Sequence, residues 1–298
     1  MDTLPSNAQP LDVPADITVT DLLERYTAGE RDFRGIQLVG ADLSHQNLSG
    51  ANFRQSNLQN TNFFGAVLTG ANFREAKLTN VSFEQADLVL ANLIGADLAD
   101  SRLMEADLSE AGMRSANLAR ANLSQATLRE TNLNEAVLDH AMLHQANLSE
   151  ASLSRGRMLA TDLQGANLEN ANLTSALMNR AILKNAILVG AVLTGATLEG
   201  VDFEAADLSR AKLSSTNLVN VNLSQANLRG ANLSWSSLRG ANLRGATLYR
   251  TRLSWSNLSG ADLTDAVMIN AKLDYTNLRR TDVNGTIMPD GFMMSSQD

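Results

Sequence analysis

Every fifth residue from Phe33 to Met288 is apolar, without interruption, which makes 52 consecutive five-residue units in one register. Forty of the 52 centres are Leu, six are Phe, five are Met and one is Val283. The residue two before each centre is small: 33 of 52 are Ala, and most of the others are Ser, Thr, Val or Gly. Immediately before the centre, 29 of 52 are Asn or Asp, and two residues after it fall 15 of the 19 glycines. Gly230-Ala231-Asn232-Leu233-Ser234 is a representative stretch. A fixed period of this kind decides the architecture before any local propensity does.

Five matches neither common element. On an α-helix the apolar residue would advance by about 140° per unit and form no stripe. On a straight strand an odd period would send successive Leu to opposite faces. Ala and Leu are two apart, so both face one side of a short extended segment. A bend in every unit then returns the next Ala to that same side. Gly and Asn beside the centre tolerate the backbone angles that bends require. Four bends of roughly 90° close a coil of 20 residues that climbs about 4.8 Å, one strand spacing. Small residues and Leu fill the interior in layers, and stability is a sum over neighbouring coils. The expected class is all-β: a parallel β-helix of about 13 coils, roughly 62 Å long.

The Ala-(Asp/Asn)-Leu-x-x unit resembles the pentapeptide repeat proteins over residues 31–288. The resemblance implies a right-handed, quadrilateral parallel β-helix. Two further segments, Leu22-Leu23-Glu24-Arg25-Tyr26-Thr27-Ala28-Gly29-Glu30-Arg31-Asp32-Phe33 and Thr286-Ile287-Met288-Pro289-Asp290-Gly291, are similar to the two ends of cyanobacterial members.

The repeat leaves little chain outside it. Residues 1–17, with Pro5, Pro10 and Pro14, read as a disordered tail. Residues 18–30 read as a short capping helix: Thr20 or Asp21 at its N-terminus, an apolar face of Leu22, Leu23 and Tyr26, and Gly29 as its stop. Such a cap would cover strand edges that otherwise invite aggregation. Gln46, polar at an inward position, falls near that end. Residues 289–298 form a C-terminal tail. Either a turn at Pro289–Gly291 folds Phe292, Met293 and Met294 over the last coil, or that end meets a second copy as a homodimer contact. The start lacks the basic and apolar regions of a signal peptide, and no apolar run approaches a membrane span. The expectation is a cytoplasmic protein with no membrane partner.

Several outward positions stand out. Trp235, Trp255 and Tyr275 are 20 apart, one full coil, and include both Trp of the chain. They predict an aromatic ladder on one corner, which reads as a docking strip or as a stabilising stack. Arg34, Arg54 and Arg74 predict a second ladder, a cationic one that suits an acidic partner unless Asp32 and Glu75 screen it. Leu177, Ile182, Ile187 and Val192 occupy slots where Asn or Asp is usual. With Val137 and Met142 they mark a candidate apolar interface. Residues 229–280 carry eight basic residues against three acids, a composition compatible with single-stranded nucleic acid. Spread over several faces, they argue against such a partner. His140 and His144 lack the further ligands a metal needs.

With no Cys, no phosphate-binding glycine loop and no catalytic constellation, the chain reads as a non-enzymatic, rigid scaffold of regulatory type that needs no cofactor and binds another protein. The alternative is a DNA mimic acting on a type II topoisomerase, an activity found in the resembling family. Residues 84–150 hold 11 acids against four Arg. Duplex DNA, at one charge per ~1.7 Å, would show about 36 charges over the rod's length. The whole chain nets −8.

Overall fold

A computed structural model describes residues 17–294, so most of the expected tail lies outside the described residues. Ile17, assigned from sequence to that tail, is buried against the helix and first coil. The helix α1 spans Val19–Thr27. Its N-cap is Thr18 rather than Thr20 or Asp21: Asp21 N donates to Thr18 Oγ1 at 3.1 Å, and Thr18 N donates to Asp21 Oδ2 at 3.2 Å. Thr18-x-x-Asp21 closes this box reciprocally; Thr20 has Leu23 three residues on and cannot do so, and Asp21 is itself the acidic member of the box and lies inside the helix. At the other end Gly29 N donates to Tyr26 O and Glu30 N to Arg25 O, both at 3.0 Å. Gly29, with φ of 99°, supplies the left-handed residue such a helix stop uses. Leu22 is buried, Leu23 and Tyr26 pack partly against the core, and Tyr26 Oη donates to Ser49 O at 2.9 Å. The helix is thereby fastened across the first coil.

Beyond it nearly every five-residue unit makes the same two moves. Its outward residue forms a parallel bridge with the residue 20 further on, as in Asn52 with Asn72 and Asn72 with Asn92. The centre then opens a turn closed by the next small residue, as Ala51 N donating to Leu48 O at 3.0 Å. The third residue of that turn is left-handed at every one of the 51 positions from 35 to 285. Fifteen are glycines and 36 are not, the latter with φ between 51° and 64°. A β-branched residue there would be a severe outlier, and none of the 51 is Val, Ile, Thr or Pro. The residue just before it, with ordinary backbone, includes many.

The enrichment in Asn and Asp has an equally direct cause. The N–H one residue after each centre takes no part in the backbone ladder. The Asn or Asp side chain two residues earlier accepts it, as Ser124 N to Asn122 Oδ1 at 3.0 Å and Ser49 N to Asn47 Oδ1 at 3.1 Å. Asn side chains also join neighbouring coils, as Asn62 Nδ2 to Asp42 Oδ1 at 3.0 Å.

Inside, the centres and the small residues are almost all fully buried. The first coils carry the aromatic share: Phe33, Phe53 and Phe73 stack at 5.8 and 5.3 Å, and Phe63 and Phe83 at 5.1 Å from the opposite side. Inward Thr and Ser residues are satisfied by reaching back across a coil, as Thr131 Oγ1 to Leu108 O at 2.8 Å, or within their own turn, as Thr216 Oγ1 to Leu213 O at 2.6 Å. Gln46 is half-buried near the first coil.

At the C-terminal end the predicted turn forms, with Gly291 N donating to Met288 O at 2.9 Å. Met293 then pairs antiparallel with Ile287. It does not carry Phe292 and Met293 over the core, because both side chains are exposed, at 73 % and 68 %. The returning segment is tied to the side of the coil at Thr286–Met288, not to its centre. Among the described residues, Lys272, Asn277 and Asp282 have bridging partners only on the preceding coil. Leu273, Leu278 and Val283 remain only partly buried.

Candidate interaction surface

Because bridges join residues 20 apart, any outward position repeats as a column along one side or corner. Trp235, Trp255 and Tyr275 form such a column at a corner, where each is the left-handed residue of its turn. The two indoles stack at 5.0 Å with parallel planes, and Trp255 stacks on Tyr275 at 4.2 Å and 19°. All three remain exposed, at 62, 48 and 76 %. Stacking therefore orders the ladder without hiding it. The left-handed backbone throws the rings outward at the corner, away from any core.

The same columns sort the basic residues. Arg239, Arg244, Arg279 and Arg280 lie elsewhere on the rod, as the spread in sequence predicts. The others do not scatter. Lys212, Asn232, Arg252 and Lys272 are one bridged column. It runs between a corner carrying Arg210, Arg229, Tyr249 and Arg250 and the corner of the aromatic ladder. Arg210 and Lys212 precede the basic stretch in sequence and fall outside any linear window drawn around it. Arg229 and Arg250 each hold their guanidinium 5.0 Å from the Tyr249 ring. Arg210, Arg229 and Arg250 line a concavity of 370 Å³ with Ser209 and Gly230.

Each Arg of the second ladder is paired with an acid. Arg34 pairs with Asp32 at 2.6 Å, and Glu75 meets Arg74 at 3.0 Å and Arg54 at 3.6 Å. The hydrogen bond from Arg34 holds Asp32 below the ordinary carboxylate range. The apolar belt is interrupted as well. Leu177 is exposed, yet its column reads Val137, Arg157, Leu177, Thr197. Ile182 sits between Asp162 and Asp202. Charged residues thus separate Val137 from Leu177 and Met142 from Ile182, and the expected extension across adjacent sides does not form.

His144 Nε2 lies 2.8 Å from Asp162, whereas Asp139 pairs with Arg157 at 2.7 Å. Among the described residues no group of His, Asp and Glu could hold a metal ion. His140 lines a surface hollow of 560 Å³, with Leu159, Ala160, Asn179, Arg180 and Glu199 among its walls. In the acidic stretch, each Arg is spent on an acid: Arg102 on Glu84, Arg114 on Glu135, Arg120 on Asp100, and Arg129 on Glu110 and Glu130. No helix among the described residues is long and apolar enough to cross a membrane.

A family profile described as pentapeptide repeats matches overlapping segments that together span residues 36–155 and 161–285. Among solved structures, HetL, a pentapeptide repeat protein involved in heterocyst differentiation regulation from the cyanobacterium Nostoc sp. strain PCC 7120, is 30 % identical. The match covers 93 % of this chain and all of that one, with a TM-score of 0.38. A pentapeptide repeat protein from the Arabidopsis thaliana thylakoid lumen is 32 % identical over 35 % of this chain and 66 % of its own, with a TM-score of 0.26. QnrB1, a plasmid-mediated fluoroquinolone resistance protein, is 20 % identical over 72 % of this chain and 89 % of its own, with a TM-score of 0.29. No curated protein matches.

Proposed function

Since the chain belongs to the pentapeptide repeat family, whose fold is a right-handed β-helix, we propose that it works as a non-enzymatic, rigid protein-interaction scaffold in a regulatory setting. Its body is a four-sided rod of about 13 coils over residues 31–288, with a cap at 18–30, short tails at either end, and the cytoplasm as its compartment. The observation that carries this reading is the ladder of Trp235, Trp255 and Tyr275. Large aromatics held in fixed positions and left exposed are the residues that dominate binding energy at protein interfaces. A rod adds rigidity, so little conformational freedom is lost on docking. HetL, a relative across its full length, is described as involved in regulation. A second copy is the candidate occupant of the C-terminal end, where Lys272, Asn277 and Asp282 have no onward bridge among the described residues.

The DNA-mimic alternative draws less support. The acidic stretch is laced with ion pairs, and the C-terminal coils carry a cationic side. The test is affinity capture with the wild type and with the Trp235→Ser/Trp255→Ser/Tyr275→Ser variant. Partners captured by the wild type should be lost in the variant, whose circular dichroism should stay unchanged. Retained capture would remove the ladder from the interface.

A further inference from the structure

One side of the rod, between residues 209–215 and 269–275 over four successive coils, combines two features that the rest of the surface keeps apart. Its outward positions hold six cations, Arg210, Lys212, Arg229, Arg250, Arg252 and Lys272, against a single acid, Asp274. None of the six forms an ion pair among the described residues, whereas the Arg ladder near the N-terminus and the Arg residues of the acidic stretch are all paired. In a chain of net charge −8, a side of unneutralised cations is a local reversal of sign. The aromatic ladder borders it directly.

We infer that this side docks an acidic polypeptide segment, whose carboxylates meet the cations while its apolar residues lie along the ladder. The inference rests on the scaffold reading and names the chemistry of the partner. Charge complementarity carries the first half. Four of the six cations are Arg, whose planar fork matches a carboxylate with two parallel hydrogen bonds, and three of those line one concavity. Ring geometry carries the second half and favours a polypeptide over nucleic acid. A nucleobase binds to an aromatic face. Here Trp255 has both faces covered by its neighbours, and Trp235 and Tyr275 one each. What the ladder presents outward is ring edges, the electropositive rim of the quadrupole, which attracts carboxylate and carbonyl oxygens. Neither indole N–H has a hydrogen-bond partner among the described residues, so both are free to donate outward.

The chain's two Trp both lie in the ladder, so intrinsic fluorescence reports on this site alone. The full chain is titrated with a glutamate decamer and, separately, with a thymidine oligonucleotide of the same length, at low and high salt. The expected result is a saturable change in emission with the glutamate decamer that weakens with salt. The variant Arg210→Gln/Arg250→Gln/Arg252→Gln should lower the apparent affinity by about tenfold or more. The charge-matched control Arg239→Gln/Arg279→Gln/Arg280→Gln, on other sides, should stay within about twofold. Tighter binding of the oligonucleotide, or an equal loss in the control, overturns the inference. If the decamer gives no response while ladder-dependent capture of a protein persists, the acidic chemistry falls and the scaffold reading stands.

Discussion

Leu123→Asp and Asn122→Asp change adjacent residues to the same side chain and should differ in stability by several kcal/mol. Leu123 is fully buried, in a layer of centres and small residues that close on it from every side. Truncating such a Leu to Ala costs about 2–5 kcal/mol from lost transfer energy and the cavity left behind. A carboxylate adds the cost of an unpaired charge, or of the protonation needed to avoid one. Asn122 points outward, and its contribution is one accepted bond from Ser124 N at 3.0 Å and another from Ser124 Oγ at 2.7 Å. A carboxylate oxygen accepts both, so the change is near neutral, while Asn122→Ala forfeits them at a cost of about 1 kcal/mol. Thermal unfolding followed by far-ultraviolet circular dichroism separates the three. One kcal/mol moves the midpoint of a chain this size by about 2–4 °C, so Leu123→Asp should lie well below the other two. Comparable losses for Leu123→Asp and Asn122→Asp would mean that the assignment of inside and outside is wrong by one residue.

The remaining expectations are more local. Gly200 has φ of 65° and room for a Cβ, whose nearest neighbour would be Arg180 Cγ at 3.8 Å, so backbone conformation alone decides substitutions there. Gly200→Val should cost about 1–3 kcal/mol and Gly200→Asn less than half of that, measured by denaturant midpoints. Acid should weaken the N-terminal cap. Asp21, held low by hydrogen bonds from Thr18, and Asp32, held low by Arg34, have folded pKa values below their unfolded ones. Their stabilisation is present above the unfolded carboxylate range and is lost as pH falls through the lowered values, so amide protection factors, corrected for the intrinsic pH dependence of exchange, should fall over residues 18–34 on acidification before the central coils respond. Lack of any difference between cap and centre would refute this. Purified gyrase should supercoil DNA unimpaired at micromolar concentrations of the protein. Dose-dependent inhibition relieved by neutralising Glu105, Asp107 and Glu110 would favour the mimic instead.

The architecture is legible in the chain because its signal is repeated 52 times and core packing enforces each copy. The turn is legible in principle too. The absence of β-branched residues at 51 successive left-handed positions is as strong a signal as the glycines, but an absence is harder to notice than an enrichment. The role of Asn and Asp emerges only in three dimensions, where the N–H that the ladder leaves over can be identified. Thr18 is easily passed over as the N-cap in favour of Thr20 and Asp21, although Asp21 three residues on marks it. At the surface the aromatic ladder follows from spacing alone. The cationic side does not, because Arg210 and Lys212 are distant in sequence from Lys272 and become its neighbours only when the chain is folded into columns. The end of the rod is the least legible part: Pro289–Gly291 specifies a turn, but not whether the returning residues cross the core or run along its rim.

The two periodicities of the rod have different tolerances for change of length. The interior repeats every five residues, so inserting or deleting one unit leaves each Leu and Ala facing inward. The columns repeat every 20 residues, and the same event rotates everything downstream by a quarter turn relative to everything upstream. One unit removed between Tyr249 and Trp255 would leave a folded, equally packed rod in which Trp235 and Trp255 face different directions. The core is indifferent to such a slip, whereas the column that joins Trp235, Trp255 and Tyr275 to its cationic neighbours depends on the number of units between them.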